Sequence, residues 1–140
     1  MKAHTRANRR RGFTLIELMV VVLIIAVLAA LVVPKVQQNA ETAKIGAAKS
    51  QIARLSSLLQ QFRLDCDRFP TTEEGLNALV SQPSDATGWK GPYLDKVPVD
   101  PWQMDYQYLF PGTTADSFLL STDGPDKQNG TDDDITNLDL

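Results

Sequence analysis

The run RRRGFTLIELMVVVLIIAVLAALVVP, from Arg9 to Pro34, decides how the rest of the chain is read. Between Leu18 and Val33 lie 16 residues without a charge, 12 of them Leu, Ile or Val, and extending back to Phe13 makes 21 in which only Glu17 is charged. At about 1.5 Å per residue a helix of that length covers the roughly 30 Å of a bilayer core. The Leu, Ile and Val positions together contribute roughly −4 to −7 kcal/mol to insertion, against about 2.5–3.5 kcal/mol for an acidic residue at the helix centre and less near an end. The prediction is a membrane helix over 13–34 that carries Glu17 into hydrocarbon with no cation on its own face. An ordinary signal anchor or a secretory signal peptide is the alternative. A cleavable apolar region is usually about 7–15 residues followed by a small-residue site, and neither alternative explains the Glu.

A partner for that carboxylate arises if the chain is cut between Gly12 and Phe13, which creates an α-amine, with a pKa near 7.7–8, at the start of the apolar run. Glu17 is then the fifth residue of the mature chain and can meet the amine of a neighbouring subunit. Gly12-Phe13-Thr14-Leu15-Ile16-Glu17 resembles the signal of type IV pilin-like proteins. The resemblance implies that a prepilin peptidase in the membrane cuts after Gly12 and methylates Phe13, and that Phe13 and Glu17 act in assembly. Lys2, Arg6, Arg9, Arg10 and Arg11 precede the apolar run with no acidic residue among them. By the positive-inside rule residues 1–12 stay cytoplasmic and residues 35–140 are exported.

Just over 100 residues remain beyond leader and anchor, enough for one small domain with its own core. The whole chain has a formal charge of −3 and residues 1–12 carry +5, so the mature chain is −8. Nucleic acid is excluded as a partner on that balance, because phosphate binding needs a basic patch. Cys66 is the only cysteine, so no internal disulfide forms; it reads as a small, partly buried hydrophobe, with an intermolecular disulfide as the alternative.

From Lys35 to Leu64 helical periodicity continues in a more polar sequence, with Val36, Ala40, Ala43, Ala47, Ile52, Leu55, Leu59 and Phe62 on one face. One helix is therefore expected from about Thr14 to Leu64, kinked at Pro34 and stopped by Pro70, since the residue before a proline avoids the α region. Thr72 is the expected N-cap of a short second helix carrying Leu76, Leu79 and Val80. Trp102, Met104, Tyr106, Tyr108 and Phe110 alternate with other residues as one strand, and Ser117 to Ser121 returns after Pro111-Gly112 as a second. The fold class is α+β, a long helix packed on a small antiparallel sheet.

Arg68-Phe69-Pro70-Thr71-Thr72-Glu73-Glu74-Gly75-Leu76, Pro98-Val99-Asp100-Pro101-Trp102 and Ser121-Thr122-Asp123-Gly124 with Asp133-Asp134-Ile135 resemble, in order, the major pseudopilins of the type II secretion system. Two departures are Gln103, where that family usually has Gly, and a longer acidic loop. The resemblance implies a type IV pilin-like fold and a homo-oligomeric helical pseudopilus in the periplasm. It also implies growth from an inner-membrane assembly platform with minor pseudopilins, pushing folded exoprotein cargo through an outer-membrane secretin. A type IV pilin for adhesion or DNA uptake is the alternative, disfavoured by the lack of a C-terminal cysteine pair. For an enzyme little is offered: the sole histidine, His4, lies in the leader, and no Gly-rich phosphate loop occurs.

From Asp116 to Leu140 there are seven Asp residues and only Lys127 to offset them. A solvated tail is one reading. The other is a loop closed by docking of Ile135 and Leu138, which brings Asp123, Asp133 and Asp134 together and needs a cation between them. Oxygen-only ligands suit calcium rather than zinc. The family resemblance likewise implies one calcium on Asp123, Asp133 and Asp134, with the backbone carbonyls of Leu120 and Pro125.

Overall fold

The computed structural model describes residues 12–140, apart from the side chains of 31–37. The basic leader, the kink at Pro34 and the packing of Val36 lie outside what it describes. The chain divides after Asn39 into two compact units.

In the first unit the helix α1, whose bounds are Leu15–Cys66, begins directly after Thr14. Large apolar side chains point out all round it, and those from Phe13 to Leu28 are between 49 and 88 % exposed. A helix apolar on every side belongs in a membrane or among other helices. Among the described residues no helix is long and apolar enough to cross a membrane; the fully described helical stretch before residue 31 covers 15–30, only part of the expected span of 13–34.

In the second unit α1 turns one stripe to a core. Ala48, Ile52, Leu55, Leu59 and Phe62 have no exposure, and Ile45 packs against them. The expected stripe is right from Ile52 onward but out of phase before it: Ala40, Ala43 and Ala47 are exposed, and Ala48 takes the buried place. Stepping back from Ile52 by four and then three residues gives Ala48 and Ile45, a closer fit to 3.6 residues per turn than the five-residue step to Ala47.

The helix ends at Cys66 because Asp67 turns left-handed, with φ 57°. That stop comes three residues ahead of Pro70 and is a left-handed C-cap, so the proline only follows it. Residues 81–93 then fold back over the helix end. Lys90 Nζ and Tyr93 Oη donate to the two oxygens of Asp65 at 2.9 and 2.8 Å, and Gly88 lies so close that a Cβ there would sit 1.9 Å from the Asp65 carbonyl oxygen. Peptide bonds Gly91-Pro92 and Phe110-Pro111 are cis.

The sheet has three short strands in the order β1-β2-β3, all antiparallel: β1 is Gln107–Leu109, β2 Leu119–Thr122 and β3 Ile135–Thr136. Tyr108 pairs with Leu120, and Thr122 with Ile135. The aromatic alternation holds, with Trp102 and Tyr106 buried and Tyr108 and Phe110 half-buried against the core. The expected long strand is shorter, because residues 100–104 form a turn held by Asp100, leaving a lone bridge between Val99 and Asp105 before β1. Ile135 docks as expected, but as a third strand, whereas Leu138 does not dock and is 58 % exposed.

Candidate functional site

Two Thr-x-x-Glu sequences cap helical turns in the same way. At the start of α1 the Thr14 backbone N–H donates to Glu17 Oε2 at 2.8 Å, and the Glu17 N–H donates to Thr14 Oγ1 at 3.2 Å. This reciprocal arrangement is a capping box, so Glu17 is not unpartnered as expected: its carboxylate also accepts from the Thr14 hydroxyl at 3.0 Å. It has no cation among the described residues. Phe13 is 88 % exposed just ahead of it, and Gly12 has open space around its Cα.

The second box closes the Thr71–Gly75 turn, which leads into the expected short helix, here a 3-10 helix over Gly75–Leu79, with Thr71 N–H donating to Glu74 Oε2 at 2.8 Å and Glu74 N–H to Thr71 Oγ1 at 3.2 Å. Thr71 is the cap here rather than Thr72, whose hydroxyl instead exchanges hydrogen bonds with the backbone N–H and carbonyl of Phe110 at 2.9 Å each. Arg68 closes on Glu74 with two N–H donors at 2.7 and 2.8 Å. The Arg68 hydrogen bonds, aided by Thr71, hold the Glu74 carboxyl below its usual pKa, and the guanidinium is raised in return.

The Asp100-Pro101-Trp102 segment is organised by a carboxylate that is 1 % exposed. Asp100 accepts from the backbone N–H groups of Trp102 and Met104 at 2.9 and 2.8 Å and from the Thr122 hydroxyl on β2. Three donors satisfy a buried carboxylate that would otherwise be costly. Gln103 in this turn has φ 69°, the left-handed region that glycine occupies without strain. The family resemblance puts Gly there, and the backbone supplies the reason. Trp102 Nε1 donates to Glu41 Oε1 at 2.6 Å, tying the turn to α1 across 61 residues of sequence. Nearby, the Tyr106 hydroxyl is buried with no hydrogen-bond partner. Burial, with the charge of Asp100 second, pushes its pKa up to about 12.

The acidic loop is closed, but not by three carboxylates meeting. Asp123, 8 % exposed, accepts from the side-chain amides of Gln107 and Asn129. Asp133 accepts from the Thr131 hydroxyl at 2.7 Å and the Asp126 N–H at 3.1 Å, and Asp134 accepts from the Gly130 N–H at 2.8 Å. Gly124, at φ 67°, lets the Asp133 backbone come in so far that a Cβ would meet its carbonyl oxygen at 2.3 Å. The Leu120 carbonyl accepts from the Asn137 N–H at 2.9 Å, and Pro125 is half-buried. Among the described residues no three acidic, His or Cys side chains gather closely enough to hold a metal ion. The donor chemistry suits calcium, while the arrangement does not form its cage. Asn129, Thr131 and Asn137, whose side chains bind this loop and the adjoining strands, were not singled out from sequence; loop amides and hydroxyls are too common to mark themselves.

Comparison with known proteins places these features. Residues 35–138 match the family model of type II secretion system protein G, and residues 7–33 match the prokaryotic N-terminal methylation motif. The type II secretion system core protein G of Pseudomonas aeruginosa is 44% identical over 138 residues, covering 94% of this chain and 97% of the relative. That of Escherichia coli K12 is 44% identical over 137 residues, covering 95% and 94%. The major pseudopilin of the type 2 secretion system of enterohaemorrhagic Escherichia coli, a crystal structure, superposes with a TM-score of 0.67 at 39% identity, over 74% of this chain and 89% of that one.

Proposed function

The chain belongs to the type II secretion system protein G family, the major pseudopilins that are structural subunits of the pseudopilus, and from that premise we propose how its two ends serve the fibre. It has the type IV pilin-like fold and is a membrane-anchored periplasmic protein acting with other components of that system. The alternative of a type IV pilin or DNA-uptake subunit is not favoured, since the family model over residues 35–138 is that of the secretion system.

Residues 1–12 are a cytoplasmic leader removed by prepilin peptidase between Gly12 and Phe13, and 13–34 cross the bacterial inner membrane once. The minor pseudopilins, the inner-membrane assembly platform and the outer-membrane secretin, through which the exoprotein cargo leaves, are its partners. The observation that carries this reading is the Thr14–Glu17 box on an all-round apolar helix: a carboxylate with two neutral donors and no cation among the described residues, 88 % exposed Phe13 beside it. A charged donor binds a carboxylate about twice as strongly as a neutral one, so the Phe13 amine of a neighbouring copy is the fitting partner. Deleting the chain should leave exoprotein in the periplasm, and the mature protein should begin at Phe13 by mass spectrometry; a different N-terminus, or unchanged export, overturns the reading.

Calcium is the second part of the proposal. Asp123, Asp133 and Asp134, with the carbonyls of Leu120 and Pro125, would hold it once Gln107, Asn129 and Thr131 release the carboxylates, and the ion would neutralise the loop's charge. Binding only to the folded domain stabilises it by RT ln(1 + [Ca²⁺]/Kd). The soluble fragment Val36–Leu140 should melt higher in calcium than in chelator, and Asp123→Ala should abolish the difference. Identical melting in both solutions removes calcium from the account.

A further inference from the structure

A cleft of about 390 Å³ opens on the second unit between the Thr71–Glu74 turn and the chain leading into β1. Glu73, Glu74, Asp105, Tyr106 and Tyr108 line it. Glu74 is neutralised by Arg68, but the side chains of Glu73 and Asp105 make no hydrogen bond or ion pair among the described residues. Tyr106 is 94 % buried by the complement of its 6 % exposure, and its hydroxyl has no partner. Two uncompensated carboxylates and an idle phenol oxygen are acceptors, so the group that completes them carries several N–H donors and a positive charge.

The same unit carries such groups elsewhere. Arg54 and Lys96 line a separate groove of about 260 Å³ with Asp95, and neither cation makes a hydrogen bond or ion pair among the described residues. Val97 lines the acidic cleft while its neighbours Lys96 and Pro98 line the basic groove, so the two patches flank a single short segment. A chain that bears both halves of a contact at adjacent places can pair two-fold or join copies head to tail, and the pseudopilus-subunit reading selects the second, since a heterologous contact propagates a helical filament when it does not close. We infer that the acidic cleft of Glu73, Asp105 and Tyr106 receives the Arg54 and Lys96 side chains of a second copy of this chain. This rests on the pseudopilus-subunit reading and adds to it which surfaces of the periplasmic domain meet. Complementary charge there selects partner and register more than it supplies affinity.

The test uses the full chain in bacteria with a working secretion system. In a Cys66→Ser background, Glu73→Cys with Lys96→Cys should oxidise to a ladder of linked copies in the fibre fraction, which neither single cysteine produces. Glu73→Arg should lower export at least tenfold, and adding Lys96→Glu should restore it to within twofold of the parent. Tyr106→Phe should weaken fibres without lowering the melting temperature of the domain. Fibres from the parent chain with no ladder, or no rescue by the reversed pair, overturn this contact and leave the subunit reading intact. A parent chain that forms no fibres fails the subunit reading itself, and the contact with it.

Discussion

The two capping boxes are the same object in different surroundings. Thr14 and Glu17 repeat the Thr71 and Glu74 distances, 2.8 Å for the backbone donor to the carboxylate and 3.2 Å for the return bond. Glu74 has a guanidinium closed on both oxygens and a side chain only 20 % exposed; Glu17 has neutral donors only. A four-residue pattern is enough to build a cap, but not to neutralise its carboxylate. In the folded domain the cation comes from Arg68 of the same chain, and at the helix start none of the described residues supplies one. One box is complete within its domain, and the other is the one that the proposed assembly contact would complete.

The largest effect should come from making the first box apolar. Glu17→Leu should leave insertion and processing intact yet lose fibres and export, with domain melting unchanged; normal export by that variant would show that the open carboxylate is dispensable. Opening the second box should do the reverse. Arg68→Ala strands a partly buried carboxylate and should cost the domain about 2–3 kcal/mol, a fall of roughly 10–20 °C in Tm. A melting temperature within a few degrees of the parent contradicts the bidentate pair.

The pH dependence separates the boxes as well. Glu74 has its folded pKa depressed below 4.5, first by Arg68, so its stabilisation is complete above that value and is lost as pH falls through the folded pKa. Denaturation midpoints should drop below about pH 4.5, and Glu74→Gln should flatten that part of the curve. Tyr106 is the opposite case: its pKa rises from 10.0 to about 12, so the protonated form is the one folding favours, and stability should be full below pH 10 and fall between about pH 10 and 12. Tyr106→Phe should lessen the alkaline slope, to which Tyr93 and Tyr108, also raised by burial, contribute as well, at little cost near neutrality, because the lost hydroxyl has no partner.

Smaller effects sharpen the comparison further. Thr71→Ala should cost the domain about 1 kcal/mol, the usual value of an N-cap, while Thr14→Ala should not change domain melting. Gln103→Gly should raise stability by up to about 1 kcal/mol by relieving the left-handed backbone, net of the extra freedom glycine has when unfolded. A loss of stability on that change would mean the Gln103 side chain contributes more than its backbone costs.

Periodicity placed Ile52, Leu55, Leu59 and Phe62 in the core, because large apolar side chains three and four residues apart can share only one face. It failed over Ala40, Ala43 and Ala47, because alanine is tolerated on either side of a helix and its identity does not say which side is buried. The aromatic alternation from Trp102 to Phe110 was legible for the same reason as the helix stripe. The turn at Asp100 inside it was not, since its third donor, Thr122, lies 22 residues away.

By itself the sequence determined the apolar run and its single acid, the N-terminal methylation motif, the α+β class and the family, since these reside in residue type at fixed spacing. The tertiary structure alone decided that Thr71 rather than Thr72 caps the second turn, that Trp102 reaches Glu41 across 61 residues, and that amides and hydroxyls hold the carboxylates of the acidic loop. Each of these is a competition between chemically similar groups for one partner. Distance settles that competition, and distance between residues far apart in sequence exists only once the chain has folded.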